Sequence, residues 1–400
     1  MKLFRRALLW ALVLVIVVGG PLYVYKAVHA AVPPLQPRAA TSLASQTSQV
    51  MLTWPSYGEA AIGVLGYKGV LASNNGDQSL STASIAKVVT ALCVLQKHPL
   101  QTGQDGPTLT LTQSDVDLYN MYLQENGSLV GVADGEQLSE RQALEAMLLP
   151  SGNNMADTLA NWAFGSMSAY LSFANQYVAT LGMTHTHLAD ASGFKDATVS
   201  TANDLVLLGE TAMQTPALAK IVSETSAAVP VAGQISSTNL LLGQDGIVGI
   251  KTGNNDKDTG ALLFASRQHL SNSQSITIVG VIMGGPSLPA VMYDTPALID
   301  SVVGGFKSQT IVNAGDIVGR YNVPWQKGSV AAVATKDLSV FTWEGQSISA
   351  TVHLDTLTAP ASANQVVGSV TLPSASGTSV SVKLQSSIPT PSLKWKLLHP

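Results

Sequence analysis

Residues 84–92 read SIAKVVTAL, the stretch that says most about how this chain folds. Apolar side chains recur here at the spacing of one helix face, which predicts a helix from Ser84 to about Gln96. That face consists of Ile85, Val88, Val89, Leu92 and Leu95. Lys87 comes three residues after Ser84, so the two side chains share one face of the first turn.

Ser84 and Lys87 are a candidate nucleophile and base. A serine hydroxyl attacks poorly until a neighbouring base accepts its proton, and a lysine can accept it once burial or a nearby cation lowers its pKa. The helix N-terminus would also point backbone N–H groups at developing negative charge. A second S-x-x-K runs from Ser192 to Lys195, but Gly193 follows its serine and no helical pattern continues, so we interpret that copy as a loop.

A second motif, SGN at residues 151–153, follows a predicted helix that ends near Pro150. Ser139 and Gln142 have the spacing of a capping box and mark the start of that helix. A sharp turn after the helix can present the hydroxyl of Ser151 and the amide of Asn153 to a cleft.

A third motif closes the run GIVGIKTG at residues 246–253, which has the composition of a strand. The motif consists of Lys251, Thr252 and Gly253. A cation, a hydroxyl and a position without a side chain at a sheet edge suit an extended peptide that ends in a carboxylate.

The elements around these motifs mix strands and helices. Strand patterns occupy residues 60–67, 69–72, 261–265 and 275–283, whereas helical patterns occupy residues 143–150, 155–180 and 202–208. We therefore predict an α/β (α+β) domain whose sheet comes from the first and last thirds of the region, with a helical lobe inserted between them.

Length and composition favour two folded domains. Four hundred residues with 46% apolar and 12% charged side chains exceed one ordinary core. Beyond residue 306 the sequence changes to short β-branched runs separated by Gly, Pro and Ser, typical of an all-β domain. The expected segments are a leader at 1–30, a linker at 31–49, a catalytic domain at 50–306, a small all-β domain at 308–390 and a tail at 391–400.

The first 30 residues have the pattern of an export signal. Lys2, Arg5 and Arg6 precede an apolar run at 7–25, and small residues suit cleavage after Ala30. The run also nearly spans a bilayer, so both a cleaved signal peptide and a retained membrane anchor stay open. In both cases we expect the folded part to be exported and to work in the cell envelope.

Charge and composition exclude several classes of partner. A formal net charge of -4 without a long basic run argues against nucleic acid. His185 and His187 have no cysteine or acidic ligand set nearby, so we predict no metal site and no cofactor. Cys93 is the single cysteine and lies in an apolar helical stretch, where we expect a small buried side chain.

Together, SIAKVVTAL, LLPSGNNMADTLA and GIVGIKTG resemble the motifs of the penicillin-binding protein and serine β-lactamase superfamily. The resemblance is strongest to the low-molecular-mass D-alanyl-D-alanine carboxypeptidases and covers about residues 50–390. It implies a β-lactamase/transpeptidase-like domain with an inserted helical lobe, followed by a small β-domain. It also implies removal of the terminal D-alanine from peptidoglycan stem peptides through an acyl-enzyme, with β-lactams as covalent inhibitors.

The resemblance also assigns roles to individual residues. The implied catalytic residues are Ser84 as nucleophile, Lys87 as general base and Ser151 as proton relay. The implied substrate-binding residues are Asn153, which orients the substrate amide; Lys251 and Thr252, which hold the terminal carboxylate; Gly253; and Asn254, whose backbone N–H completes an oxyanion hole with that of Ser84.

Three alternative functions stay open: a serine β-lactamase, a DD-endopeptidase and a non-catalytic protein that binds the cell wall. The commonest β-lactamase class uses a glutamate after the second motif, and none occurs between Ser151 and Glu210. The chain departs from many relatives at Asn154, where an acidic residue is usual, and in the polar segment 254–258. These departures bear on substrate preference.

Overall fold

The computed structural model describes residues 2–40, 43–44, 48–67, 69–255, 259–271, 274–372 and 378–399. The chain divides into two compact units, one of residues 51–305 and the other of residues 1–50 together with 306–400.

The chain begins with a helical segment made of α1 (Lys2–Leu14), a π-helical turn (Val15–Gly19) and α2 (Gly20–His29). Its stretch Phe4–His29 has a mean hydropathy of 2.4 over its most apolar window, none of which is buried. By length and composition this helix is sufficient to cross a membrane, and a signal sequence would have the same properties. Two short strands follow, β1 (Pro37–Ala39) and β2 (Leu43–Ala44).

The unit of residues 51–305 alternates strands and helices. Its strands are β3 (Glu59–Val64), β4 (Val70–Asn74), β5 (Leu80–Ser81), β6 (Thr108–Thr110), β7 (Gln137–Ser139), β8 (Val199–Ser200), β9 (Ser226–Val229), β10 (Gly233–Ser236), β11 (Ile247–Asn255), β12 (Thr259–His269) and β13 (Ser275–Gly285). Its helices are α3 (Ala86–Lys97), α4 (Gln113–Gln124), α5 (Glu140–Leu148), α6 (Asn153–Phe164), α7 (Met167–Thr180), α8 (Ala202–Gln214), α9 (Pro216–Val222) and α10 (Leu288–Gly304).

A five-stranded antiparallel sheet organises this unit, in the order β11-β12-β13-β3-β4. Helices α8 and α10 pack on the sheet, and α3 to α7 follow β4 as a helical lobe before the chain returns to the sheet. Helix α3 is buried from Ala86 to Leu95, including Cys93. Most of these residues are apolar, and the two polar ones, Lys87 and Thr90, are hydrogen-bonded. The predicted α/β architecture with an inserted helical lobe is confirmed.

Local signals located the starts of α5 and α8 and missed one break. Ser139 and Gln142 form the predicted capping box at α5, and Thr201 caps α8 by accepting a hydrogen bond from the Asp204 N–H. The helix predicted over 155–180 is two helices, because Gly165 adopts a left-handed conformation with φ 78° at the end of α6. Ser166 then caps α7.

The other unit is rich in strands beyond residue 305. Its strands are β14 (Phe306–Val312), β15 (Ile317–Asn322), β16 (Ser329–Ala334), β17 (Leu338–Trp343), β18 (Ser349–Leu354), β19 (Val366–Thr371) and β20 (Ser379–Leu384), and a short helix, α11 (Leu393–Leu398), follows them. The main sheet has the order β1-β15-β16-β20-β19-β18-β2, and β14 pairs with β17. The all-β character predicted after residue 306 is confirmed.

The described residues of segment 31–49 include two short strands, whereas the composition predicts an unstructured linker. β1 pairs antiparallel with β15, β2 pairs with β18, and the side chain of Leu35 is buried in the core of the same unit. The edges of the sheet offer unpaired N–H and C=O groups, so a short extended segment gains backbone hydrogen bonds there despite its Pro- and Ser-rich composition.

Glu140→Gln is expected to make stability less dependent on pH. Glu140 is fully buried at the start of α5, and neither carboxylate oxygen has a hydrogen-bond partner within the described part of the chain. Burial raises its pKa to about 7. Between about pH 5 and 7 the folded state therefore holds a proton that the unfolded state has released, and stability falls as pH rises.

Urea unfolding of both proteins at about pH 5 and about pH 8 checks this. Between these pH values, the free energy of unfolding of wild type should fall by about 2–3 kcal/mol more than that of the variant. Glu125→Gln removes an exposed carboxylate and serves as the matched control. An identical pH dependence in wild type and Glu140→Gln would contradict the prediction.

Candidate active site

Ser84 lies at the entry to the buried helix α3. It occupies a 3₁₀ turn, Ala83–Ile85, and Ala83 has an unusual positive φ of 44°. Gly193 packs directly on this turn, where a Cβ atom would overlap the carbonyl oxygen of Ala83. The turn is therefore held from outside by a neighbouring loop, in a backbone conformation that costs free energy on its own.

The Lys87 amine lies beneath Ser84 and is completely buried. Its Nζ is 2.7 Å from Ser84 Oγ, 2.7 Å from Asn153 Oδ1, 2.9 Å from the Ser192 carbonyl oxygen and 3.4 Å from Ser151 Oγ. Burial and, next, the charge of Lys251 hold the pKa of Lys87 well below its usual value. Such a lysine can be neutral near physiological pH, as a general base requires.

Ser151 and Asn153 reach Lys87 from the junction between α5 and α6. Ser151 has a positive φ of 67°, and the Gly152 N–H donates to the Ala146 carbonyl. The Asn153 N–H donates to the carbonyl of Ser128. The sharp turn expected after Pro150 is thus present, and it points both side chains at one amine.

Lys251 and Thr252 lie on β11, and both side chains are buried. The Lys251 Nζ donates to the Thr252 carbonyl at 3.1 Å and to Thr252 Oγ1 at 3.3 Å. The Thr252 hydroxyl is 2.6 Å from that of Thr238. Burial lowers the pKa of Lys251 to about 7. A Cβ at Gly253 would lie 3.0 Å from the Thr82 carbonyl oxygen, so glycine lets β11 approach the serine turn closely.

An open cleft of about 340 Å³ lies beside Ser84 and Asn153. Three residues singled out in the sequence line it, namely Ser84, Asn153 and Asn254. The other lining residues are Asn126, Gly127, Ser128, Gly193, Phe194, Asp196 and Asn255. Gly193 and Phe194 belong to the second S-x-x-K, and Asn255 belongs to the polar segment 254–258. Residues 256–258 of the polar segment 254–258 lie outside the described residues.

The second S-x-x-K, Ser192 to Lys195, is a loop, as its glycine predicts. The loop nevertheless contributes to the site through its backbone, which no motif predicted, because the carbonyl of Ser192 accepts from Lys87. Asp190 holds the loop by accepting from the Ser192 hydroxyl and from the Phe194 N–H, each at 2.8 Å. A carboxylate two residues before a serine and a glycine was the available signal.

Asn154 explains one departure from the resemblance. Its side chain is fully buried and spans the backbone of Val130, accepting from the N–H at 3.1 Å and donating to the carbonyl at 2.9 Å. An amide provides a donor and an acceptor for these two groups, whereas a carboxylate would face the carbonyl with a second acceptor.

Neither histidine highlighted in the sequence approaches the cleft lining. The His185 N–H donates to Asp204 Oδ2, and His187 forms a backbone bridge with Val199. Among the described residues there is no cluster of three or more His, Cys, Asp or Glu side chains suited to a metal ion.

Comparison with known sequences identifies the family. A sequence model of the family described as D-alanyl-D-alanine carboxypeptidase matches residues 66–287, more than half of the chain. The chain belongs to the D-alanyl-D-alanine carboxypeptidase family. A second model, of the C-terminal domain of penicillin-binding protein 5, matches residues 306–387. The resemblance inferred from the three motifs is confirmed.

Two members of the family match part of the chain. The chain is 33% identical to the D-alanyl-D-alanine carboxypeptidase DacB2 of Mycobacterium tuberculosis over 46% of this chain and 61% of the relative. It is 27% identical to DacA of Escherichia coli over 54% of this chain and 53% of the relative. The chain thus matches between half and two thirds of the length of these two carboxypeptidases.

A solved structure shows the same fold. Penicillin-binding protein 5 from Haemophilus influenzae superposes with a TM-score of 0.57 at 20% identity, covering 86% of this chain and 99% of that protein. The predicted transpeptidase-like domain followed by a β-domain is therefore confirmed.

Asn154→Asp is expected to destabilise this family member by about 1–3 kcal/mol, because it places a carboxylate against the buried Val130 carbonyl. Urea unfolding at neutral pH measures the effect. Asn161→Asp introduces the same change at an exposed position of the same helix and should stay close to wild type. Equal stability of Asn154→Asp and wild type would refute this account of Asn154.

Proposed function

We propose that the chain is a serine-type D-Ala-D-Ala carboxypeptidase that removes the terminal D-alanine from peptidoglycan stem peptides through an acyl-enzyme on Ser84. The observation that carries the proposal is the 2.7 Å contact between Ser84 Oγ and the buried Nζ of Lys87. Family membership supports the same reaction class.

The hydrogen bonds of Lys87 suit a base. A neutral amine has two N–H bonds and one lone pair. Asn153 Oδ1 and the Ser192 carbonyl are pure acceptors at 2.7 Å and 2.9 Å, so they take the two N–H bonds. The lone pair is then left for the hydroxyl proton of Ser84, whose oxygen is freed to attack the peptide carbonyl.

Ser151 provides a route for the proton to the leaving group. As the Ser84 Oγ–carbon bond forms and the carbon–nitrogen bond breaks, the amine of D-alanine needs a proton. Ser151 Oγ lies 3.4 Å from Lys87 Nζ and can pass that proton on. The amine of Lys87 is then neutral again and can take a proton from the water that hydrolyses the acyl-enzyme.

The charge that develops on the carbonyl oxygen also needs donors. In the proposed arrangement the backbone N–H groups of Ser84 and Asn254 form the oxyanion hole, and both residues line the same cleft.

Lys251, Thr252 and Gly253 are proposed to hold the terminal carboxylate. The pKa of Lys251 is about 7 without substrate, and an arriving carboxylate raises it, so the ammonium forms as the peptide binds. Binding should therefore be strongest below about pH 7 and weaken as pH rises. The glycine leaves β11 without a side chain on the face that approaches the serine turn.

The proposed substrate and the apolar N-terminal helix together indicate export. Peptidoglycan lies outside the cytoplasmic membrane, and the stretch Phe4–His29 suits either a cleaved signal peptide or a retained anchor. We propose that the remainder of the chain acts in the cell envelope, with β-lactams as covalent inhibitors that acylate Ser84.

Ser84→Ala should abolish D-alanine release from a peptide ending in D-Ala-D-Ala and abolish labelling by a fluorescent penicillin, while the melting temperature stays unchanged. Ser84 is half-buried and contributes chemistry rather than core packing. Ser81→Ala, a nearby half-buried serine, is the control. Release by the variant would overturn the assignment, whereas rapid β-lactam hydrolysis without D-alanine release by wild type would favour a β-lactamase.

Lys251→Ala should lower kcat/KM for the same peptide by roughly 10- to 100-fold, since a charge-assisted contact to the carboxylate is lost. The difference in kcat/KM between wild type and variant should be much smaller for a peptide whose terminal carboxylate is amidated, because that peptide offers no negative charge to Lys251. Lys220→Ala, on a partly exposed lysine paired with Glu224, is the control. An unchanged kcat/KM would remove Lys251 from the site.

A further inference from the structure

A buried carboxylate that the proposed reaction does not use lies close to the catalytic amine. Asp157 is on α6, one turn after Asn153, and only 8% of it is exposed. Its Oδ2 accepts from the Tyr122 hydroxyl at 2.9 Å, whereas Oδ1 has no hydrogen-bond partner in the described residues. A buried carboxylate that is only half satisfied costs free energy, which calls for a functional reason.

Two physical links join Asp157 to Lys87. The first is α6, because residues 153 and 157 face the same side of the helix and Asn153 Oδ1 accepts from Lys87 Nζ. The second is Tyr122, whose hydroxyl also lies 3.4 Å from Ser192 Oγ. The carbonyl of that serine is the other fixed acceptor of Lys87.

The charged groups around the amine oppose one another. Lys251, on β11, disfavours the protonated form of Lys87, whereas Asp190, in the loop, and Asp157, on α6, favour it. Asp190 is engaged by the Ser192 hydroxyl, by the N–H of Phe194 and by Thr198. Asp157 makes no hydrogen bond to the loop itself and reaches it only through the Tyr122 hydroxyl.

Asp157 also titrates within the working range of an enzyme. Burial raises its pKa to about 6, against the smaller opposing effects of the Tyr122 hydroxyl, Lys87 and Lys195, with Asp190 adding to the rise. Above about pH 6 the carboxylate is charged and favours the ammonium form of Lys87. Replacing it by a neutral group should therefore let the amine lose its proton at lower pH.

We propose that Asp157, held by Tyr122, is a positioning residue that sets the pH range over which the Lys87 amine accepts the proton of Ser84. This inference rests on the proposed function of Ser84 and Lys87. Asp157 does not line the cleft, and it acts through the charge of the amine and through the groups that hold it.

The test is the rate of acylation by a fluorescent penicillin, followed from about pH 4 to 9 on the purified full chain in detergent. Asp157→Asn keeps the shape of the side chain and an acceptor for Tyr122 but removes the charge. We expect the midpoint of the acidic limb to move down by about one pH unit. We express each acylation rate as a fraction of the same protein's plateau rate. At one pH unit below the wild-type midpoint, this fraction should be roughly fivefold higher for the variant than for wild type.

Two further variants separate charge from structure. Tyr122→Phe removes a hydrogen bond that favours the ionised carboxylate, so the midpoint should move in the same direction by less. The double variant should show no more than the shift of Asp157→Asn alone, because both changes act through one charge. Asp117→Asn removes an exposed carboxylate from α4 and should leave the midpoint in place.

The possible results separate the proposed role of Asp157 from the proposed function of Ser84 and Lys87. Wild-type chain that folds but is not labelled would overturn the proposed function and the inference with it. Labelling of wild type together with an unshifted midpoint in Asp157→Asn would overturn the inference alone. Should Asp157→Asn fail to fold, an unshifted midpoint in folded Tyr122→Phe would do the same.

Discussion

A lysine amine held entirely out of water is the constraint on which the site depends. Lys87 is on a helix that is buried on every side, so its amine cannot reach solvent. A buried amine is tolerated only when neighbouring groups satisfy its hydrogen bonds or when it loses its charge. Both conditions hold here, because Asn153 and Ser192 supply acceptors while burial and Lys251 favour the neutral form.

Three segments that are distant in sequence meet around the Lys87 amine and provide its hydrogen-bond partners. The serine turn precedes α3, the Ser151 turn precedes α6, and the loop of Ser192 lies between α7 and β8. Two of these segments contain non-glycine residues with positive φ, Ala83 and Ser151, and the third contains Gly193 at φ 72°. Such conformations persist only where surrounding contacts determine them, and here those contacts are the ones that surround the amine.

Sequence patterns succeeded at some local signals, missed another local signal, and failed where a distant group decided. The capping box at Ser139 predicted the start of α5, since capping involves side chains three residues apart. Apolar periodicity over 155–180 could not reveal the break at Gly165, because both helices keep apolar positions at similar spacing. Composition alone also suggested a free linker at 31–49, where the available sheet edges order two short strands instead.

The sequence by itself indicated the mixed architecture through local periodicity. It indicated the family and the eight proposed site residues through the resemblance of three short motifs to those of a known family. Only the tertiary structure showed which backbone carbonyl accepts a hydrogen bond from Lys87, which residues line the cleft and why Asn154 is an amide. It also brought Asp157 within electrostatic range of the amine, which no motif marks. Burial and electrostatic coupling depend on groups far apart in sequence, so only the folded chain brings them within range.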